Sequence, residues 1–184
     1  VLGAIVRVVT FRNYTYDDGY HSADISVAEL EGGDAAQAVN EQVRDYTDRL
    51  LGQFQADCET LGEGYKSLDV ISTVVTDSDT WFTLRVDAVE TQASGYQFSR
   101  FYHIDKTTDR VVTLEDLFRE DADYVGVLSD EVRQQMEERM AADESVRYFP
   151  EEFTAIDPQQ NFYFNGEGEL VLVFDEYTIA PGSM

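Results

Sequence analysis

Residues 160–184 read QNFYFNGEGELVLVFDEYTIAPGSM, and the fold is read outward from this stretch. It predicts two strands around the turn Asn165 to Gly168, followed by a short loop through Ala180, Pro181 and Gly182. Period-two alternation puts Phe162 and Phe164 on one face, with Leu170, Leu172 and Phe174 sharing a face across the turn. Val171 and Val173 are apolar as well, so the second strand has no polar side. Strands of that kind sit centrally in a sheet or are covered on both faces. The remainder of the chain is therefore expected to pack around this hairpin.

Upstream, residues 6–16 alternate and are rich in β-branched and aromatic side chains before the hairpin signal Asp17, Asp18 and Gly19. Residues 22–30 return as a second strand with Ala23, Ile25 and Val27 on one face. After Gly32 and Gly33, Asp34 is placed as the N-cap of a long helix reaching about Leu61. Val39, Val43, Tyr46, Leu50, Phe54, Cys58 and Leu61 recur at intervals of three and four, a single apolar stripe that must dock on a sheet. Three strands joined by short turns follow over 65–76, 80–91 and 96–105, the middle one turning Phe82, Leu84, Val86 and Ala88 inward.

The polar, turn-like residues 106–110 mark a boundary between an N-terminal α+β subdomain, 1–106, and a C-terminal one, 107–184, sharing one compact unit. Thr113 to Asp116 resembles a capping box opening a short helix. A second helix is predicted over 123–142 with Val125, Leu128, Val132, Met136 and Met140 as its stripe. The order is ββ-α-βββ-α-ββ: an α+β fold of antiparallel sheet, with one long and one shorter helix packed on it.

Charge sets the function classes. Thirty-seven acidic residues stand against 13 basic ones, a formal net charge of −24. Such a surface repels phosphate backbones and anionic membranes and speeds encounter with cationic partners, so nucleic-acid binding is excluded. Solubility alone is the competing reason for the charge. The single cysteine, Cys58, rules out an intramolecular disulfide and falls on the inner helix face as an inert thiol. The apolar opening, residues 1–6, is too short to cross a bilayer, which takes about 20 residues. An abrupt apolar start and an end within a loop suggest a piece of a longer chain.

No catalytic or metal-binding constellation emerges, and no cofactor is implied. Asp175 and Glu176 are adjacent carboxylates, but in so acidic a chain proximity carries no information about catalysis. His21 and His103 lack metal-ligand spacing, and His103 is expected to face solvent. Acidic loops at 77–79 and 120–123 do not match a calcium loop. Tyr14, Tyr16 and Tyr20 around the Asp17–Asp18–Gly19 turn suit recognition of a basic protein surface, against the plainer reading of strand aromatics that pack. The segment Tyr177, Thr178, Ile179, Ala180, Pro181, Gly182 reads either as a rigid presented loop or as a tight turn into a further strand.

As a set, the segments beginning at His21, Ala36, Phe101, Val112, Tyr148, Asn161 and Phe174 resemble the outer domain of RsiV-like anti-sigma factors. That domain is a fused pair of formerly unknown-function domains, also found beside polysaccharide deacetylases. The likeness runs in order along nearly the whole chain. It implies a non-catalytic extracytoplasmic sensor, held at the membrane by an upstream helix, that recognises a basic protein such as lysozyme. The alternative is an accessory module of a wall deacetylase or other wall enzyme. The resemblance carries partner recognition to Tyr177, Ile179, Ala180, Pro181, Gly182 and Ser183. Ser183 and Met184 stand where family members often have an aromatic residue.

Overall fold

The computed structural model describes residues 3–181. The chain divides into two compact units, one ending at Val112 and the other starting at Thr113. In the first, strands β1 (Arg7–Asp17), β2 (His21–Glu31), β3 (Lys66–Asp77), β4 (Trp81–Thr91), β5 (Gly95–Asp105) and β6 (Arg110–Val112) form one sheet in sequence order. Helix α1 (Asp34–Leu61) connects β2 to β3.

The α+β class is observed, but the sheet is mixed. β2 and β3 run parallel from the His21–Lys66 pair to the Ser26–Ile71 pair, while every other neighbour is antiparallel. This corrects the all-antiparallel expectation, and the reason is geometric. Neighbouring strands joined by a long helix meet in the same direction, because the helix returns the chain to the end of the sheet where it began. The helix stripe is the one the spacing predicts: Val39, Val43, Tyr46 and Phe54 are buried, and Leu50 and Cys58 pack partly against the core. Facing them are Ala23, Ile25 and Val27 of β2, Leu68 and Val70 of β3, and Phe82, Leu84, Val86 and Ala88 of β4. This cluster, all within the first unit, is the main core, so the closing hairpin is not the centre on which the chain is organised.

Two polar devices finish this layer. The parallel ladder stops at Ser26, leaving the backbone of β2 beyond it without a β3 partner. Ser72 Oγ then accepts from the Ala28 N–H at 2.8 Å, and the Asn40 carboxamide both accepts from the Leu30 N–H and donates to the Leu30 carbonyl, each at 2.8 Å. Three residues beyond Leu30, Gly33 is the N-cap of α1 and offers no side-chain oxygen, in place of the predicted Asp34. Asp109, in the turn between β5 and β6, supplies the cap instead, accepting from the Asp34 N–H at 3.0 Å and the Ala35 N–H at 3.4 Å. Asp109 does this from a left-handed backbone conformation, φ 52°, which aspartate tolerates better than most residues.

In the second unit the expected capping box is only half formed: the Asp116 carboxylate accepts from the Thr113 N–H at 2.8 Å and its hydroxyl at 2.9 Å, but Leu114 is the N-cap of a single 3-10 turn, Glu115–Leu117, and makes no side-chain cap bond. Helix α2 (Tyr124–Ala142) is capped by Asp123, whose side chain accepts from the Gly126 N–H. Of its predicted stripe only Met136 is fully buried; Val125, Leu128, Val132 and Met140 are half-buried. The hairpin is present as β7 (Phe162–Phe164) and β8 (Leu170–Leu172), with Phe162 opposite Leu172 and Phe164 opposite Leu170. Its turn is held by the Asn165 side chain, which accepts from the Glu167 and Glu169 N–H groups, while Gly168 takes φ 80°. These strands form a separate two-stranded sheet, and β8 is half-buried rather than enclosed on both faces.

Candidate partner-binding site

The segment after β8 is built as a braced loop. Its brace is the turn at residues 149–153, where the Phe149 carbonyl accepts from the Glu152 and Phe153 N–H groups. That turn is fixed to α2: the Arg133 guanidinium lies 5.6 Å from the Phe153 ring centroid and donates to the Thr154 carbonyl at 3.0 Å. The Phe153 ring in turn meets Phe174 edge-on at 6.1 Å. From this platform the Phe149 N–H donates to the Ile179 carbonyl at 2.8 Å, and Thr178 N–H reaches back to the Asp175 carbonyl at 3.2 Å.

The side chains along the loop then divide by environment. Ala180 is buried and Ile179 half-buried, whereas Pro181 is exposed. Tyr177 is 61% exposed and sits at φ 64°, in the left-handed region that a bulky residue occupies only at a cost. The structure thus brings together Tyr177, Ile179, Ala180 and Pro181 as one loop; Gly182 and Ser183 lie outside the described residues.

Other sequence candidates fall differently. His103 is 2% exposed, not solvent-facing: its Nδ1 lies 2.8 Å from Thr83 Oγ1, and its ring stacks with Phe101 and tilts against Trp81. Alternation alone puts His103 on the face away from α1, and alternation carries no information about what covers that face. Buried Asp87 takes part on the same face, accepting from Arg85 Nε at 2.8 Å and Ser99 Oγ at 2.5 Å. Burial raises the Cys58 thiol above its ordinary value, as expected for an unreactive cysteine. Among the described residues no three His, Cys, Asp or Glu side chains gather as a metal site.

Sequence reasoning did not find a groove of about 580 Å³ between α1 and β5, lined by Gln42, Asp45, Asp48, Arg49, Arg100 and Tyr102. Arg100 lies over Tyr46, its guanidinium carbon 4.1 Å from the ring centroid. Burial raises the Tyr102 hydroxyl, against the lowering influence of Arg100 and Arg49. The only available signal was a pair of arginines in an acidic chain, and they are 51 positions apart in sequence.

The fold is α+β, with a partly exposed loop after β8, and comparison with known proteins shows its family. Residues 115–184 match the family described as a protein of unknown function, DUF3298. The whole chain is 31% identical, over an alignment of 192 residues, to the anti-sigma-V factor RsiV of Bacillus subtilis, spanning 67% of that protein. The chain belongs to the RsiV-like DUF3298 family.

Two crystal structures share the fold. A DUF3298-family protein from Bacteroides fragilis superposes with a TM-score of 0.59 at 18% identity, covering 98% of this chain and 87% of that one. Another from Pseudomonas aeruginosa gives 0.61 at 13% identity, covering 98% and 86%. No described helix is long and apolar enough to cross a membrane.

Proposed function

We propose that this chain is the extracytoplasmic sensor domain of a membrane-anchored anti-sigma factor, and that it recognises a basic protein of the lysozyme kind. The whole-length 31% identity to an anti-sigma factor carries the reading. Two physical observations support it. A net charge of −24 gives long-range attraction for a strongly cationic protein and repels nucleic acids and anionic lipid. The loop Tyr177–Pro181 is braced at the Ile179 carbonyl and offers an exposed tyrosine and proline, so little ordering cost accompanies docking. Occupancy is then relayed to the membrane-proximal part of the full-length protein.

The test is calorimetric titration with a basic animal lysozyme at 0.05 and 0.15 M salt, about the range over which the Debye length shrinks toward 8 Å. One-to-one binding is expected at both, weakened at least tenfold by Pro181→Ala or Tyr177→Ala. Heat that vanishes at the higher salt means charge attraction without a shaped interface. Absence of heat at both salts rules lysozyme out.

A further inference from the structure

At one end of the large sheet the structure gathers four tyrosines that do not pack into the core. Tyr14, Tyr16, Tyr20 and Tyr65 are 36, 45, 49 and 57% exposed. Tyr14 and Tyr16 sit at the far end of edge strand β1, opposite Ile25 and Ala23. Tyr20 and Tyr65 immediately precede β2 and β3, whose starts are joined where the Lys66 N–H donates to the Tyr20 carbonyl at 3.1 Å. Tyr65 is 45 residues from Tyr20 in sequence, so only the parallel pairing of β2 with β3 brings it there.

The turn between the tyrosines is rigid. Asp18 Oδ1 accepts from the Tyr20 and His21 N–H groups at 2.9 and 2.7 Å. Its Oδ2 takes the Tyr16 hydroxyl at 3.0 Å and lies 3.1 Å from His21 Nδ1. Asp17 Oδ1 accepts from the Gly19 N–H at 2.8 Å. Exposed aromatics held by a saturated turn lose little entropy on docking, and tyrosine faces attract guanidinium and ammonium groups.

We infer that this tyrosine end, with Asp17, Asp18 and Glu63 beside it, is a docking surface for arginine- and lysine-bearing patches of a folded basic protein. The inference rests on the proposed cationic partner and adds to it a contact surface in the first unit. Charge selects the occupant. A second copy of the chain, at −24, is repelled, as are nucleic acid and anionic lipid, whereas a cation gains both from the carboxylates and from the rings.

The experiment is an amide hydrogen-exchange footprint with a basic animal lysozyme, paired with titration of two variants. One is the quadruple Tyr→Ser variant at positions 14, 16, 20 and 65; the other is Glu63→Lys, at an exposed position outside the turn. Protection at residues 14–20 and 64–66, with at least tenfold weaker binding by the quadruple variant and a several-fold loss in Glu63→Lys, is the expected result. Binding within twofold of the parent for both variants, or protection confined to other segments, overturns the tyrosine surface and leaves the proposed function standing. Should lysozyme not bind the parent at all, the functional reading fails separately. The surface is then judged by amide shifts with an oligo-arginine peptide: shifts centred on residues 14–20 and 65 uphold it, and shifts spread over the whole acidic surface overturn it.

Discussion

Asn40 holds the end of a strand that has run out of neighbours. Its carboxamide makes two 2.8 Å hydrogen bonds to the backbone of Leu30, a residue only 3% exposed and beyond the reach of the β2–β3 ladder. Asn40→Ala strands one N–H and one carbonyl. Each costs about 1 to 1.5 kcal/mol, near the low end for orphaned backbone groups because Asn40 itself is half-buried and water has partial access. Alanine recovers about 0.5 kcal/mol as the better helix former. The net expectation is a loss of about 2 kcal/mol, which at an m-value of about 2 kcal/mol/M moves the urea midpoint down by roughly 1 M. Circular dichroism across a urea series gives the midpoint, and native-state exchange of the Leu30 amide gives the local effect. Asn40→Asp is expected to be similar, since it keeps an acceptor for the N–H but sets a carboxylate oxygen against the Leu30 carbonyl. Asn13→Ala, which removes one exposed 3.4 Å contact to the Phe11 carbonyl, serves as the control at under about 0.5 kcal/mol. A loss below about 0.5 kcal/mol for Asn40→Ala, with Leu30 exchange unchanged, refutes the account of the strand end.

Removing the distant cap by Asp109→Ala is expected to cost about 1 kcal/mol, as for other lost N-caps, and to increase exchange of the Asp34 and Ala35 amides specifically. Phe54→Ala, at 1% exposure on the docked face of α1, is expected to lose about 3–5 kcal/mol by chemical denaturation. Its exposed neighbour Gln55→Ala should stay within about 0.5 kcal/mol; equal effects would mean that the helix does not bury this face. Asp18 is held to about 2 by the backbone N–H groups of His21 and Tyr20, below its ordinary 3.8. Because the folded value is the lower one, this contribution is complete above about pH 4 and is lost as pH falls toward 2. Carboxyl NMR titration of Asp18 should show that low midpoint, and the His21 amide should shift with it; a midpoint at or above 3.5 contradicts the hydrogen bonding of the turn.

Local structure was legible wherever a short-range pattern carried it. The α1 stripe was read nearly residue for residue, as were the inward faces of β2 and β4 and the Asn165–Gly168 turn. Misreadings arose where a residue's neighbour is distant in sequence. His103 alternates like a surface residue, but Thr83 and Trp81 reach its ring only through the β4–β5 register. The cap on α1 was assigned to Asp34 because Asp109 is 75 residues away. The tyrosine end lacked Tyr65 for the same reason, and the Arg49–Arg100 groove was invisible.

What the amino-acid order determined by itself was therefore the inventory: which segments are helix or strand, where they turn, which faces are apolar, and that the surface is strongly anionic. All of these depend on contacts between residues a few positions apart, or on composition. The tertiary structure alone decided that β2 and β3 run parallel, that the long helix rather than the closing hairpin covers the main core, and which polar groups end up buried. Those outcomes depend on pairings across 40 to 75 residues, as with Leu68 beside Ala23 or Asp109 beneath Asp34. Chain entropy does not select such pairings; they are won by the burial of one shared apolar layer, which no local window of sequence contains.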